Sequence, residues 1–328
     1  FNAPYYLGNL YYDKERHADA IKCFELSIER GANFATPYRN LSLLCYNVLE
    51  NQQKAFELMQ KAFDLDKTDA RILYELDLLK KRIGIAPNDR LNYLSQYYNL
   101  VESRDDLLLE YITLLNLTKQ YDDALKIITS HHFHPWEGGE GKVPEQYVFS
   151  NIALNTDKSL NATFTYPHNL GEGKLYGAQE NRQNYYLGLL TGNKDCFKKA
   201  SLGLSEPASA MYYNDQPPET IFYQGMAWLE LGNKEEANKR FDKLISYADK
   251  HINDDVKIDY FAVSLPDLLV FDENLNTKNR LHCMFMKALG LFGKGKKEES
   301  KAFFEKALEI NPNTFQISTH YDLLFKEN

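Results

Sequence analysis

Cysteine is scarce in this chain and poorly placed for chemistry. Four occur among 328 residues, at Cys23, Cys45, Cys196 and Cys283, far apart and with no CxxC pair. That spacing excludes a zinc ribbon or a disulfide framework and points to a reducing, cytoplasmic setting. Positive charge is in deficit: 38 lysines and arginines stand against 46 aspartates and glutamates, for a formal net charge of −8. Such a balance leaves no electrostatic footprint for nucleic acid. No uncharged apolar run is long enough to cross a bilayer, and no signal peptide is visible, so no membrane partner is expected. Low-complexity tracts and Gly/Ser linkers are absent. Motifs with a fixed chemistry are missing too: no HExxH, no GxxxxGK[ST], and no defensible Ser/His/Asp or Cys/His order. No metal and no cofactor is expected.

What the sequence does have is aromatics, 23 tyrosines and 19 phenylalanines, recurring at fixed distances from small residues. The first stretch places Leu7, Gly8, Tyr11, Ala20 and Phe24 in order. Gly225, Trp228, Ala237 and Phe241 repeat its intervals of 3, 9 and 4. Ala288, Leu291, Ser300 and Phe304 repeat them once more, with Pro312 as a helix stop. Small side chains at the Gly8 and Ala20 positions would let two antiparallel helices approach closely, while the aromatics fill the space between. These residues and intervals resemble the tetratricopeptide repeat, TPR, whose period is about 34 residues.

Weaker copies lie between the clear ones. Leu41, Ser42, Cys45, Ala55 and Met59 fit with one inserted residue, and Tyr111, Leu115, Ala124 and Ile128 fit without one. Leu187 and Gly188 open a copy whose internal turn is shortened around residues 191–193. Residues 70–102 predict two helices broken before Pro87, which disfavours helix at the residue preceding it. The expected fold is an all-α, TPR-like α-solenoid with irregular loop insertions. Its expected parts are N-terminal repeats over 1–130, a loop-rich segment over 131–178 and C-terminal repeats over 179–328.

The loop-rich segment holds the candidate site. Residues 133–143 read FHPWEGGEGKV, in which Pro135 stops a helix while Gly138, Gly139 and Gly141 free the backbone. Read structurally, this is a tight connection with Phe133 and Trp136 docked into the core. Read functionally, Glu137 and Glu140 are hydrogen-bond acceptors or an acid and a base, and Trp136 is a flat face for a sugar ring or a side chain. The tetrapeptide Gly-Glu-Gly-Lys occurs at 139–142 and again at 171–174, an offset of 32 residues and close to one repeat. The two loops are therefore expected to converge. The candidate ligand set is Trp136, Glu137, Glu140, Lys142, His168, Glu172 and Lys174, with Glu137, Glu140 and Glu172 as the carboxylates of any catalysis. His131, His132 and His134 stand nearby without a recognised ligand spacing, so a metal is not assigned to them.

Residues 264–280 interrupt the helical pattern with an apolar run, 268–271, flanked by Asp267, Asp272 and Glu273, and read as a packed connection before the last repeat. The TPR resemblance implies binding of a protein or peptide on the concave face. It also permits a test for the clamp that grips acidic C-termini. Asn9 and Asn40 match that clamp, but its lysine position holds Tyr5, so the clamp is rejected.

The stretches FHPWEGGEGKV, YPHNLGEGK and FAVSLPDLLVFDENL together resemble, over about residues 3–325, bacterial proteins that join a mutarotase-like β-sandwich domain of unassigned role to a TPR tail. That resemblance implies a carbohydrate context. Because the sequence begins at Phe1 rather than Met, the N-terminal domain is expected to be the missing partner. The leading expectation is a non-catalytic interaction scaffold for a protein partner or that missing domain. The alternative is part of a carbohydrate-binding or glycoside-processing site built from the Gly-Glu-Gly-Lys loops.

Overall fold

Close helix crossings organise the protein. In the computed structural model, which describes residues 1–136, 138–139, 141–155, 167–171, 180–209, 216–257 and 270–325, seventeen α-helices follow one another. Two hairpins come first, α1 (Asn2–Asp13) with α2 (His17–Glu29) and α3 (Ala35–Asn47) with α4 (Gln52–Leu65). Next come α5 (Ala70–Arg82), α6 (Pro87–Ser95), α7 (Tyr98–Glu102), α8 (Asp105–Leu117) and α9 (Tyr121–Ser130). The middle contains α10 (Lys142–Asn155) and the short pair α11 (Asn181–Thr191) and α12 (Lys194–Ala200). Two long hairpins follow, α13 (Pro218–Glu230) with α14 (Lys234–His251) and α15 (Leu275–Gly293) with α16 (Lys297–Ile310), before α17 (Phe315–Phe325).

Each hairpin closes as its small residues require. A Cβ built on Gly8 would sit 2.7 Å from the Phe24 ring, and one on Gly188 would sit 2.6 Å from the Phe197 ring. Gly225 stands in the same relation to Phe241. Where the small residue is serine, the tight crossing satisfies its hydroxyl: Ser42 Oγ donates to the Ala55 carbonyl at 2.6 Å and Ser300 Oγ to that of Ala288 at 2.7 Å. Both serines are fully buried, so an unpaired hydroxyl there would be costly. The turns inside the hairpins need a left-handed residue. Gly232 and Gly295 supply it without strain, whereas Glu15 (φ 56°) and Glu50 (φ 49°) adopt it despite carrying a Cβ. Asn51, Asn193, Asn233 and Asn274 then cap the helices that follow, each accepting a backbone N–H. The break expected before Pro87 is present, with Pro87 as the first residue of α6.

The expected irregular middle, 131–178, is interrupted by α10. Its sequence hid it. Val143, Gln146, Val148, Phe149, Ser150, Ile152 and Ala153 are all buried, so apolar and polar residues alternate around the whole helix instead of marking one face. The buried polar positions are paired: Asn116 Nδ2 donates to Gln146 Oε1 at 2.8 Å, and Ser150 Oγ to Asn116 Oδ1 at 2.8 Å.

By contact density the protein forms two compact units, Phe1–Tyr111 with Leu265–Glu273, and Ile112–Ser264 with Asn274–Asn328. The first has a core that includes Phe24, Leu41, Leu44, Cys45 and Phe63. It also buries a charge cluster. Arg90, fully buried, donates to Asp77 at 2.5 Å and to Glu110 at 2.7 Å, while Lys81 reaches Glu110 at 2.9 Å. The second unit is built on Phe222, Tyr223, Phe241, Phe285, Leu289 and Phe304.

Candidate functional site

The loop expected to carry chemistry is pinned at its base. Phe133 is fully buried, and its N–H donates to the Asn169 carbonyl at 2.9 Å. Asn169 Nδ2 donates to the carbonyls of Ile128 (2.8 Å) and His131 (2.5 Å) at the C-terminal end of α9. Gly171, with φ at 71°, lies against the Phe133 backbone. The stems of the two glycine-rich loops are thus neighbours. Trp136 is half-buried and its indole covers Gly139 so closely that a Cβ at 139 would overlap the ring. Backbone bonds from Gly139 N to Trp136 O (3.0 Å) and from Lys142 N to Gly139 O (3.1 Å) carry the turn into α10, whose first residue is Lys142. His132 and His134 meet edge to face at 5.2 Å, and His168 is exposed. Glu137, Glu140, Glu172 and Lys174 lie outside the described residues. Among the described residues no group of three His, Cys, Asp or Glu side chains is placed to hold a metal ion.

The first helices of the N-terminal hairpins carry a second arrangement. Asn9 and Asn40, the two residues that matched the carboxylate clamp, hydrogen-bond to each other at 2.9 Å, and Tyr5 packs edge-on against Phe34 at 5.1 Å. Arg39 forks onto Glu75 at 2.5 Å, and Arg71 joins it at 3.0 Å. At the C-terminal ends of α3 and α5, four residues of the 264–280 connection are docked. The Asn47 carboxamide donates to the Val270 carbonyl at 3.0 Å and accepts from the Asp272 N–H at 2.9 Å. Between those bonds Phe271 is 1% exposed, edge-on to Tyr46 with ring centroids 5.1 Å apart. Arg82 closes the contact on Glu273 at 2.7 Å. Burial raises the Tyr46 hydroxyl pKa; Arg82 opposes the shift, and Asp272 and Glu273 add to it. The sequence marked this connection as packed but held no sign that Asn47 reads its backbone.

A third cluster, in the second unit, escaped sequence reasoning altogether. Arg182 of α11, Glu219 of α13 and His320 of α17 are buried, and Arg182 Nη1, Glu219 Oε2 and His320 Nε2 have no hydrogen-bond partner among the described residues. His320 Nδ1 faces the Gln316 carbonyl at 2.7 Å, which assigns the proton to Nδ1 and leaves Nε2 an acceptor. Burial, reinforced by the Arg182 charge, depresses His320 to about 3. Burial also pushes Glu219 up to about 7, with Arg182 opposing and Glu145 adding to the rise. The rings of Tyr223 and Phe285 pack on His320 at 5.7 and 5.2 Å. These residues lie on three helices far apart in sequence, so no local pattern could announce them.

Hairpins of antiparallel helices closed by small-residue crossings define an all-α repeat array. Family models of the tetratricopeptide repeat match residues 5–31 and 281–314, and a further one matches residues 219–251. These stretches carry tetratricopeptide repeats, set within an all-α, TPR-like array of helix pairs. Among solved structures, a tetratricopeptide repeat protein from Parabacteroides merdae is 12% identical over 99% of this chain and 98% of its own, with a TM-score of 0.42. Yeast Tom70 is 13% identical over 94% of this chain, which spans 62% of the Tom70 chain, with a TM-score of 0.31. YrrB, described as a TPR protein with an unusual peptide-binding site, is 14% identical over 92% and 97%, with a TM-score of 0.18. Among the described residues no helix is long and apolar enough to cross a membrane.

Proposed function

We propose that this protein is a non-catalytic interaction scaffold that holds a protein partner through a short, non-helical segment laid across the first helices of its hairpins. One observation carries the reading. A side-chain amide on α3 already recognises a backbone carbonyl and a backbone N–H two residues apart, around a buried aromatic anchor. Backbone recognition combined with a pocketed side chain is how peptide-binding domains separate affinity from specificity. The partner is either another polypeptide or an attached domain, as the resemblance to sandwich-bearing proteins implies. Selection from a random peptide display library tests the reading. Selected peptides should protect amides of the first helices, α1, α3 and α5 or α13 and α15, from hydrogen exchange. Failure to select any binder, or protection confined to the second helices, would overturn it.

A second reading is kept for the loops. It places a polar ligand such as a carbohydrate on Trp136, Glu137, Glu140, Lys142, His168, Glu172 and Lys174. Adjacent loop stems and an indole stacked on glycine backbone support it. Oligosaccharides should then quench tryptophan emission in the unaltered protein and not in Trp136→Phe, since Trp228 is the only other indole. No quenching across a panel of sugars would sink it.

A further inference from the structure

We propose that Tyr46, Asn47 and Arg82 form a binding site for a short peptide in which an aromatic residue is followed, two positions later, by an acid, and that residues 270–273 occupy this site in cis. The proposal rests on the scaffold reading and narrows it to one site and one ligand chemistry.

The contacts divide into two kinds. Both Asn47 bonds go to backbone atoms, at 3.0 and 2.9 Å, and are indifferent to the side chains of whatever lies there. Selectivity comes from the other contacts. Phe271 is almost wholly buried beside Tyr46, so the position demands an aromatic or a bulky apolar residue. Arg82 pairs with Glu273 at 2.7 Å, both groups about a quarter exposed, so the second position after the anchor demands an acid. Asp272 stands exposed between them and meets the site through its backbone N–H alone.

The docked residues also behave as a ligand would. They form no helix or strand of their own, and Asn47 of α3 supplies partners to their backbone groups. They arrive from 223 residues further along the sequence and join the first unit, while the next helix, α15, belongs to the second. A partner carrying aromatic–Asp–Glu would meet the same bonds, and would have to displace residues 270–273 to make them. The cis segment then raises the threshold for binding by acting as a tethered competitor.

The test uses the 328-residue chain and a fluorescent pentapeptide, acetyl-Val-Phe-Asp-Glu-Asn-amide, followed by anisotropy. Phe271→Ala and, separately, Glu273→Lys should free the site and bind the peptide at least about tenfold more tightly than the unaltered protein. Adding Asn47→Ala to either should weaken binding by about tenfold, the worth of two hydrogen bonds. A charge swap reads the pair directly: Arg82→Glu in the Phe271→Ala protein should lose this peptide and gain one with Arg in place of its Glu. Hydrogen exchange of α3 and α5 verifies that each variant is folded. No binding to either freed variant, or binding indifferent to Asn47→Ala, would overturn the proposal. Display-selected peptides that still protect the first helices would then leave the scaffold reading standing; their absence would remove both.

Discussion

Gly293 meets the ring of Phe241 so closely that no side chain fits between them. A Cβ on Gly293 would fall inside van der Waals contact with the ring, and the same holds for Gly225. Phe241, on α14, is therefore packed by glycines from both α13 and α15 and is fully buried. One aromatic thus fixes the spacing of three helices. The neighbouring Gly290 strengthens the point, since a Cβ there would lie 2.8 Å from the Phe241 carbonyl.

Two effects oppose each other when these glycines are replaced. Alanine in a helix interior is favoured over glycine by about 1 kcal/mol. Overpacking a buried ring that has nowhere to move costs about 1–3 kcal/mol. The second should win at Gly225 and Gly293, so Gly225→Ala and Gly293→Ala should each lower the urea midpoint. Ala237→Leu, at the small position on α14, should do the same. Midpoints equal to or above that of the unaltered protein would show that the crossings are looser than they look.

These crossings were the most legible part of the sequence, and the reason is physical. Gly8 with Phe24 and Gly225 with Phe241 are local pairs, held at one spacing by a single turn, so their pattern survives in sequence. Gly188 with Phe197 was harder to read because its turn is short, and α10 was invisible because burial on all sides erases periodicity. Gly293 left no signal, since its partner lies on the preceding hairpin. The Asn47 contact with Val270 and Asp272, and the grouping of Arg182, Glu219 and His320, join residues that only the fold brings near. Of the expected loop site, the two stems meet at Phe133 and Gly171 and the indole of Trp136 lies on Gly139 of its own loop, while the three glutamates lie outside the described residues.

Arg90 supplies a second prediction. Its guanidinium is fully buried and holds Asp77, itself 1% exposed, together with Glu110. Burial pushes the Glu110 pKa up, but the charges of Lys81 and Arg90 outweigh that and keep its carboxyl ionised. Removing one partner of a buried pair leaves an uncompensated charge and costs about 3–5 kcal/mol. Arg90→Met should fall in that range by chemical denaturation. Arg90→Met with Asp77→Leu should recover a large part of the loss, and a double variant no more stable than the single one would refute the account.

The Trp136 turn supports a third. Alanine at 139 must push the indole off the backbone, because its Cβ would occupy the ring position. In a Trp228→Phe background, Gly139→Ala should shift Trp136 emission to the red as the ring meets water, with helix content unchanged. Emission identical to that of Gly139 would mean the ring does not rest on this glycine.

The pH dependence of stability follows from Glu219 and His320. Glu219 titrates near 7 in the folded protein against an ordinary 4.5, so between those values the folded state binds more protons than the unfolded one. Its contribution is greatest at low pH and is lost as pH rises from about 4.5 to about 7. His320 is the opposite case, depressed to about 3 from an ordinary 6.5, so its contribution is complete above 6.5 and is lost as pH falls towards 3. The windows overlap between 4.5 and 6.5, where the two slopes have opposite signs and largely cancel. Glu219→Gln keeps the shape of the side chain and removes its titration. Measured against the unaltered protein, this variant should gain up to about 1.4 kcal/mol per pH unit between about pH 4.5 and 7, then level off. Taking the difference cancels every group that titrates alike in both proteins. Arg182 and Glu145 are the same residues in both proteins, so urea denaturation at half-unit pH steps reads the change made at Glu219. A difference that stays constant across that window would mean that the Glu219 carboxyl keeps its ordinary value. The buried cluster of α11, α13 and α17 would then be open to water.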